Sequence, residues 1–107
     1  MEFRDARAKL LDCLRSGNFG HWPWDDLFLK NWLAAGRISE SQVIRLLLRC
    51  DGSQYGIGTQ ISPAGAQVHE FFPRDGEVEW YIKAYLDEEG GPAVIEAVFM
   101  SIHPSGV

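Results

Sequence analysis

The sequence predicts an α+β domain in which helices come first and an antiparallel sheet follows. Apolar residues recur at helical spacing through the first half of the chain. Beyond Gln54 the helical period disappears, and apolar and polar residues begin to alternate. This order favours about three N-terminal helices packed on one face of a roughly four-stranded antiparallel sheet. The length of 107 residues suits a single α+β domain over residues 1–107 with one core.

Three segments have the pattern and the boundary residues of helices. The first covers residues 2–15 and stops at Ser16-Gly17-Asn18. Residues 19–24 resist regular structure because Pro23 restrains Trp22, and a second helix then runs from Asp25 to about Ala35. Its inward residues should be Leu27, Phe28, Trp32 and Leu33. A third helix begins at Ser39-Glu40-Ser41-Gln42, which fits a capping box, and it ends near Asp51-Gly52.

The second half of the chain reads as two hairpins. Residues 54–61 and 66–72 are short strands, and the turn Ser62-Pro63-Ala64-Gly65 separates them. Residues 79–86 alternate strictly, which is typical of a half-buried strand. Residues 93–104 form its partner after a turn over residues 87–92.

The second hairpin carries the one group of residues that resembles a site. Opposed residues of an antiparallel pair point to the same side of the sheet. A register that pairs odd-numbered with odd-numbered residues therefore places Ser101 and His103 on the face of Tyr81 and Lys83. A register that pairs odd with even scatters them. The sequence leaves both registers open, because the apolar pattern of the second strand is weaker than that of the first.

These residue types suit a phosphodiester substrate. Lys83 can neutralise phosphate charge, His69 or His103 can exchange a proton near neutral pH, and Tyr81 can orient a hydroxyl group. Two titratable groups around a phosphate suffice to cleave RNA without a metal. The alternative interpretation is an ordinary solvated sheet face. Strand alternation puts His69 on the same face as Gln67 and Phe71, where it is either functional or half-buried.

Composition limits the other function classes. Residues 1–50 have a net charge of +2 and residues 51–107 a net charge of −7, within a total of −5. This distribution weakens any prediction of tight nucleic-acid binding on the sheet and favours a basic protein partner. Cys13 and Cys50 have neither disulfide nor metal-ligand spacing, so reduced core thiols are expected. We expect no metal and no cofactor, since no phosphate-binding loop or ligand cluster is recognisable.

The chain has no membrane-spanning segment and no secretory signal near its N-terminus, so the cytoplasm is the expected location. Its oligomeric state is left open by the sequence.

Three local stretches resemble the MqsR-like toxins of bacterial toxin–antitoxin systems, a branch of the RelE-like ribonuclease superfamily. They are Trp32 to Tyr55, His69-Glu70-Phe71-Phe72-Pro73 with Glu79 to Lys83, and Phe99 to His103. The resemblance implies a metal-independent ribonuclease that a cognate antitoxin neutralises. It places Tyr81 at the site tyrosine of the family, His103 at the terminal site lysine, and His69 near a site glutamine.

The chain also departs from the family. The lysine of the family's first long strand has no counterpart in Tyr55-Gly56-Ile57-Gly58, and the family's toxins are usually basic. Two hypotheses follow. In the first, the protein is a toxin-like endoribonuclease acting on RNA through His69, Tyr81, Lys83 and His103, with an antitoxin-like partner. In the second, it is a non-enzymatic interaction protein or inhibitor that binds a basic protein.

Overall fold

The computed structural model describes residues 2–58, 65–88 and 95–106. The helices are α1 (Phe3–Ser16), α2 (Leu27–Lys30) and α3 (Glu40–Arg49), and a 3-10 turn follows at Gly52–Gln54. The strands are β1 (Phe19–His21), β2 (Tyr55–Ile57), β3 (Val68–Phe71), β4 (Arg74–Asp75), β5 (Val78–Asp87) and β6 (Glu96–Pro104). The predicted α+β class is confirmed. The predicted turn residues 62–64 and 89–92 lie outside the described residues.

The described strands form a six-stranded mixed sheet. Their order is β1-β6-β5-β3-β2, and β4 forms a short hairpin with the start of β5. All pairs are antiparallel except β1 with β6, which is parallel. The predicted sheet of about four antiparallel strands is therefore wrong in its count and in being wholly antiparallel. Residues 19–21, predicted to lack regular structure, form the parallel strand β1. The three residues of β1 have no pattern of their own and are held by pairing with β6.

Helices α1 and α3 begin and end where the sequence signals predict. Gly17 adopts a φ of 79°, a left-handed conformation that glycine tolerates best, and its N–H bonds to the Cys13 carbonyl at the end of α1. Ser39 caps α3, because its hydroxyl accepts from the Gln42 N–H while the Gln42 side chain accepts from the Ser39 N–H. The predicted capping box is confirmed.

Helix α2 is much shorter than predicted because Asn31 leaves the helical conformation, with a φ of −138°. Its fully buried side chain donates to the Phe99 carbonyl at 3.0 Å and accepts from the Ala34 N–H at 3.1 Å. The next residue, Trp32, donates its main-chain N–H to the Ile102 carbonyl. Hydrogen bonds to β6 thus replace the main-chain hydrogen bonds that would continue the helix. Phe28, predicted to face inward, is 61% exposed.

The sheet has a different apolar cluster on each face. The main core fills the helix face, where Leu10, Leu14, Val43 and Leu47 pack with sheet residues such as Phe71, Ile82 and Phe99. A smaller cluster lies on the opposite face and consists of Val68, Tyr85, Val98 and Met100, with Trp22 and Ala66 against it. We call this opposite face the open face, since α1 and α3 pack on the other side.

A bulge in β6 explains the weak apolar pattern of that strand. Lys83 lies opposite Ser101, but the next residue of β5, Ala84, lies opposite Phe99, so Met100 is an extra residue. The alternation changes phase at this point. Ile102 and Phe99 can therefore both belong to the main core while Met100 packs on the open face.

Within the described residues, none of the helices has both the length and the apolar character that crossing a bilayer requires.

Replacing Asn31 with alanine should destabilise the fold, since it removes the side-chain hydrogen bond to Phe99 of β6 and the one from the Ala34 N–H. We expect the free energy of unfolding to fall by about 1–3 kcal/mol, the usual cost of losing a buried hydrogen-bonding group. Urea denaturation measures this. Asn18→Ala, at an exposed position, is the matched control, and an equal loss in both variants would contradict the account.

Candidate functional site

The β5–β6 register brings four of the sequence-selected side chains to the open face. Tyr81 lies directly opposite His103, and Lys83 lies directly opposite Ser101. Opposed residues of an antiparallel pair share a face, so the odd-with-odd register is the one adopted. Ser101 is 8% exposed, whereas Tyr81, Lys83 and His103 are half-buried.

Strand β3 adds two residues to this group that the sequence reasoning missed. Glu70 lies opposite Lys83. Phe72 follows β3 and packs beside Tyr81, with ring centroids 5.5 Å apart. The open face therefore carries two rows across three strands: Phe72, Tyr81 and His103 in one row, and Glu70, Lys83 and Ser101 in the next. We call these six residues the two-row site.

Tyr81 and Glu70 are joined by a hydrogen bond between the rows. The Tyr81 hydroxyl donates to Oε2 of Glu70. Burial raises the pKa of Tyr81 above its ordinary value, and the Glu70 carboxylate beside it raises that pKa further. Tyr81 therefore stays a neutral donor at physiological pH and fixes the position of the Glu70 carboxylate.

The orientation of His103 defines which of its nitrogens is available for chemistry. Its Nδ1 lies 2.7 Å from the Pro104 carbonyl oxygen, which can only accept, so Nδ1 carries a proton. The neutral ring then has its lone pair on Nε2. The His103 ring packs against Tyr81 with 5.6 Å between centroids. This contact and the hydrogen bond together hold the imidazole on the open face.

His69 does not join this group, so its expected place beside Tyr81 is wrong. It lies opposite Ala84, a residue of the main core, and is therefore on the helix face. It is only 2% exposed, and its Nδ1 lies 2.7 Å from the Tyr55 hydroxyl. Burial lowers the pKa of His69 and raises that of Tyr55. The sequence signal for this core position is that His69 lies two residues before Phe71 on a strand and therefore shares its face.

The apolar cluster of the open face adjoins the two-row site. Tyr85 follows Lys83 on the same side of β5, and it packs with Val98 and Met100. Trp22 covers this cluster, and the Trp24 indole N–H donates to the Met100 carbonyl at 2.6 Å. The site therefore has one dry border and presents its charged groups beside it.

Charge within the two-row site is nearly balanced. Lys83 contributes one positive charge and faces Glu70 across the strand pair. Arg74, the other basic residue of the second half of the chain, belongs to β4 and pairs with Glu79 at 3.7 Å. Any phosphate bound here would be held by a few directed contacts rather than by a broad basic surface.

Metal ligands are not grouped in the described parts of the chain: no three His, Cys, Asp or Glu side chains there are placed to hold an ion together. Cys13 and Cys50 are both free and buried. Burial raises the pKa of both thiols, that of Cys50 to about 11. Neither thiol is therefore an activated nucleophile.

Comparisons of this chain with models of known protein families, with curated proteins and with solved structures give no match.

Protonation of His69 should make the protein less stable as pH falls. An unfolded histidine has a pKa near 6.5, and burial lowers the pKa of His69 below that value. Between the two values the unfolded chain binds a proton that the folded chain does not. The stabilisation is therefore present above about pH 6.5 and is lost as pH falls toward the folded pKa.

Urea denaturation of the wild type between pH 7.5 and pH 5 measures this slope, in a range where most carboxylates stay ionised. His69→Gln should flatten the slope, while His21→Gln, at an exposed histidine, should preserve it. A slope that is the same in all three proteins would refute the assignment to His69.

Proposed function

We propose that the protein is a toxin-like, metal-independent endoribonuclease of the RelE-like type, kept in check in the cell by an antitoxin-like protein. The observation that supports this proposal is the two-row site, which gathers a carboxylate, an imidazole and an ammonium group on one open sheet face. The MqsR-like resemblance of the strands that carry Tyr81 and His103 supports the same class.

The geometry supports a division of roles within the site. The Glu70 carboxylate takes the proton of a ribose 2′-hydroxyl group, and the 2′-oxygen attacks the adjacent phosphorus. The bond from phosphorus to the 5′-oxygen breaks, and a protonated His103 gives that oxygen a proton. The products are a 2′,3′-cyclic phosphate and a 5′-hydroxyl end. Lys83 neutralises the charge that develops on the phosphate oxygens.

Tyr81 acts on this reaction through Glu70. Its hydroxyl bonds to one carboxylate oxygen, which leaves the other oxygen for the substrate. Its ring packs between Phe72 and His103, and such a row of rings offers stacking surfaces to unpaired bases. Tyr81 is thus a positioning residue in this proposal.

His103→Ala should abolish RNA cleavage. The assay incubates purified protein with a single-stranded RNA in the presence of EDTA and detects 2′,3′-cyclic phosphate ends. Loss of the acid should lower the rate about 10²–10⁴-fold. The matched control is His21→Ala, an exposed histidine on β1, which should cleave like the wild type. Wild-type protein that leaves the RNA intact, or a His103→Ala variant that cleaves normally, would contradict the proposal.

Glu70→Gln tests the base separately. The amide oxygen still accepts from Tyr81, so the site keeps its shape while the proton acceptor is lost. We expect a rate loss of about 10²-fold or more with an unchanged free energy of unfolding. Glu79→Gln is the control, because Glu79 lies on the same sheet but bonds to Arg74 and Ser105. Full activity in Glu70→Gln would remove Glu70 from the mechanism.

A second candidate function is supported by the charge of the sheet half. Residues 51–107 carry a net charge of −7, and Asp87 and Glu96 lie opposite each other at the far end of the β5–β6 pair. These carboxylates suit a non-enzymatic role in binding or inhibiting a basic protein. In a growth assay, Asp87→Lys with Glu88→Lys should abolish the cellular effect on this view, whereas His103→Ala should leave it intact. The ribonuclease proposal expects the reverse.

A further inference from the structure

Strand β1 has main-chain groups that face away from the sheet. Every second residue along β1 and its flanks forms main-chain hydrogen bonds with β6. The Asn18 carbonyl accepts from the Ala97 N–H, and the Trp22 N–H donates to the Phe99 carbonyl, both at 3.0 Å. In a parallel pair, alternate residues of a strand bond to the same neighbour. Asn18, Gly20 and Trp22 therefore face β6, and Phe19 and His21 direct their N–H and C=O groups to the outer edge.

No described residue bonds to these outward main-chain groups of Phe19 and His21. They form two donors and two acceptors at the spacing of a strand. Such an edge is a template for pairing with another extended chain. Because β1 has only three residues, backbone bonds alone would hold a partner weakly, and side-chain contacts must add affinity.

A cleft beside β1 can supply such contacts. Its volume is about 160 Å³, and it lies on the helix face, because Phe19, Leu33 and Phe99 of its lining belong to the main core or pack against it. Its walls include Phe19, His21, Asn31, Leu33, Glu40 and Phe99. A chain added to the edge would direct every second side chain toward this side of the sheet. The polar atoms of Asn31 are already bonded to Phe99 and Ala34, so an apolar side chain suits the interior of the cleft.

Carboxylates lie on both sides of the β1 edge. Glu40 lines the cleft and is exposed. On the open face, the Glu96 carboxylate oxygen lies 3.5 Å from the position that a β-carbon on Gly20 would take. The lack of a side chain at Gly20 therefore leaves Glu96 accessible beside the middle of the strand. A chain added here would place the side chains that it directs to the open face next to this negative charge.

We propose that the β1 edge binds an extended segment of a partner protein in which apolar side chains facing the cleft alternate with basic side chains facing Glu96. The unpaired main-chain groups of Phe19 and His21 supply the backbone bonds, the cleft takes an apolar side chain, and Glu96 selects the charge. A second copy of this chain fits less well, because edge-to-edge pairing would bring the Glu40 and Glu96 carboxylates of both copies together. This inference does not depend on the ribonuclease proposal.

Two synthetic peptides probe this surface: acetyl-Val-Lys-Val-Lys-Val-amide and its counterpart with Glu in place of Lys. Titration into the ¹⁵N-labelled full chain is followed by NMR, together with amide hydrogen exchange. We expect the Lys peptide to protect the Phe19 and His21 N–H groups from exchange and to bind at least about fivefold more tightly than the Glu peptide. Glu96→Lys should reverse that preference.

Two proline variants test whether the peptide binds at β1 or at the other edge of the sheet. His21→Pro removes an outward N–H and leaves the inward bonds of β1, so binding should be lost. Ile57→Pro makes the same change on the opposite edge strand β2, at an exposed position, and binding should be kept. If His21→Pro fails to fold, the effect of Glu96→Lys on the peptide preference tests the proposal by itself. Equal binding of both peptides, absence of binding, loss of binding in Ile57→Pro, or dimerisation through β1 would overturn the proposal.

Discussion

The pairing of β5 with β6 is the constraint on which the rest of this structure depends. It is the longest pairing in the sheet, from Trp80 opposite Pro104 to Asp87 opposite Glu96. A slip of one residue would exchange the core side chains with the solvent-facing ones, at a large cost in buried apolar area. Ile82 and Ile102, both fully buried, fix the register on the helix face. The same register sets Tyr81 against His103 on the other face.

Because of the bulge at Met100, β6 contributes both to the polar two-row site and to the apolar cluster of the open face. Toward the end of the chain, β6 presents Ser101 and His103 to the two-row site. Before the bulge, Val98 joins Met100 in the dry cluster under Trp22. A regular strand would have put Met100 on the same face as Ile102. The extra residue thus keeps the apolar side chains buried on both faces and sets the border between the polar site and the dry cluster.

The sheet also separates two histidines that resemble each other in sequence. His69 is enclosed on the helix face, where burial lowers its pKa and the Tyr55 hydroxyl contacts its Nδ1. His103 is half-buried on the open face, and its Nδ1 bonds to a main-chain carbonyl, so Nε2 is the nitrogen left for proton exchange. The first is suited to packing and the second to proton transfer. Strand position, rather than residue type, makes the difference.

Sequence reasoning predicted the features that depend on local patterns. The Ser39 capping box, the Gly17 stop and the alternating strand at Trp80 all rest on residues close together in the chain. It failed where distant residues decide: β1 exists because β6 pairs with it, and α2 ends early because Asn31 bonds to Phe99. Glu70 was missed for the same reason, since only the β3–β5 register shows that it reaches Tyr81.

The β5–β6 register can be measured directly by NMR. The Glu79 carbonyl accepts from the Ser105 N–H, so Tyr81 and His103 form a hydrogen-bonded pair, and Ile82 with Ile102 a close, non-hydrogen-bonded one. We expect a strong Hα–Hα nuclear Overhauser effect between Ile82 and Ile102. A strong Hα–Hα effect from Ile82 to Ser101 or to His103 instead would place the imidazole and the phenol on opposite faces and contradict the account.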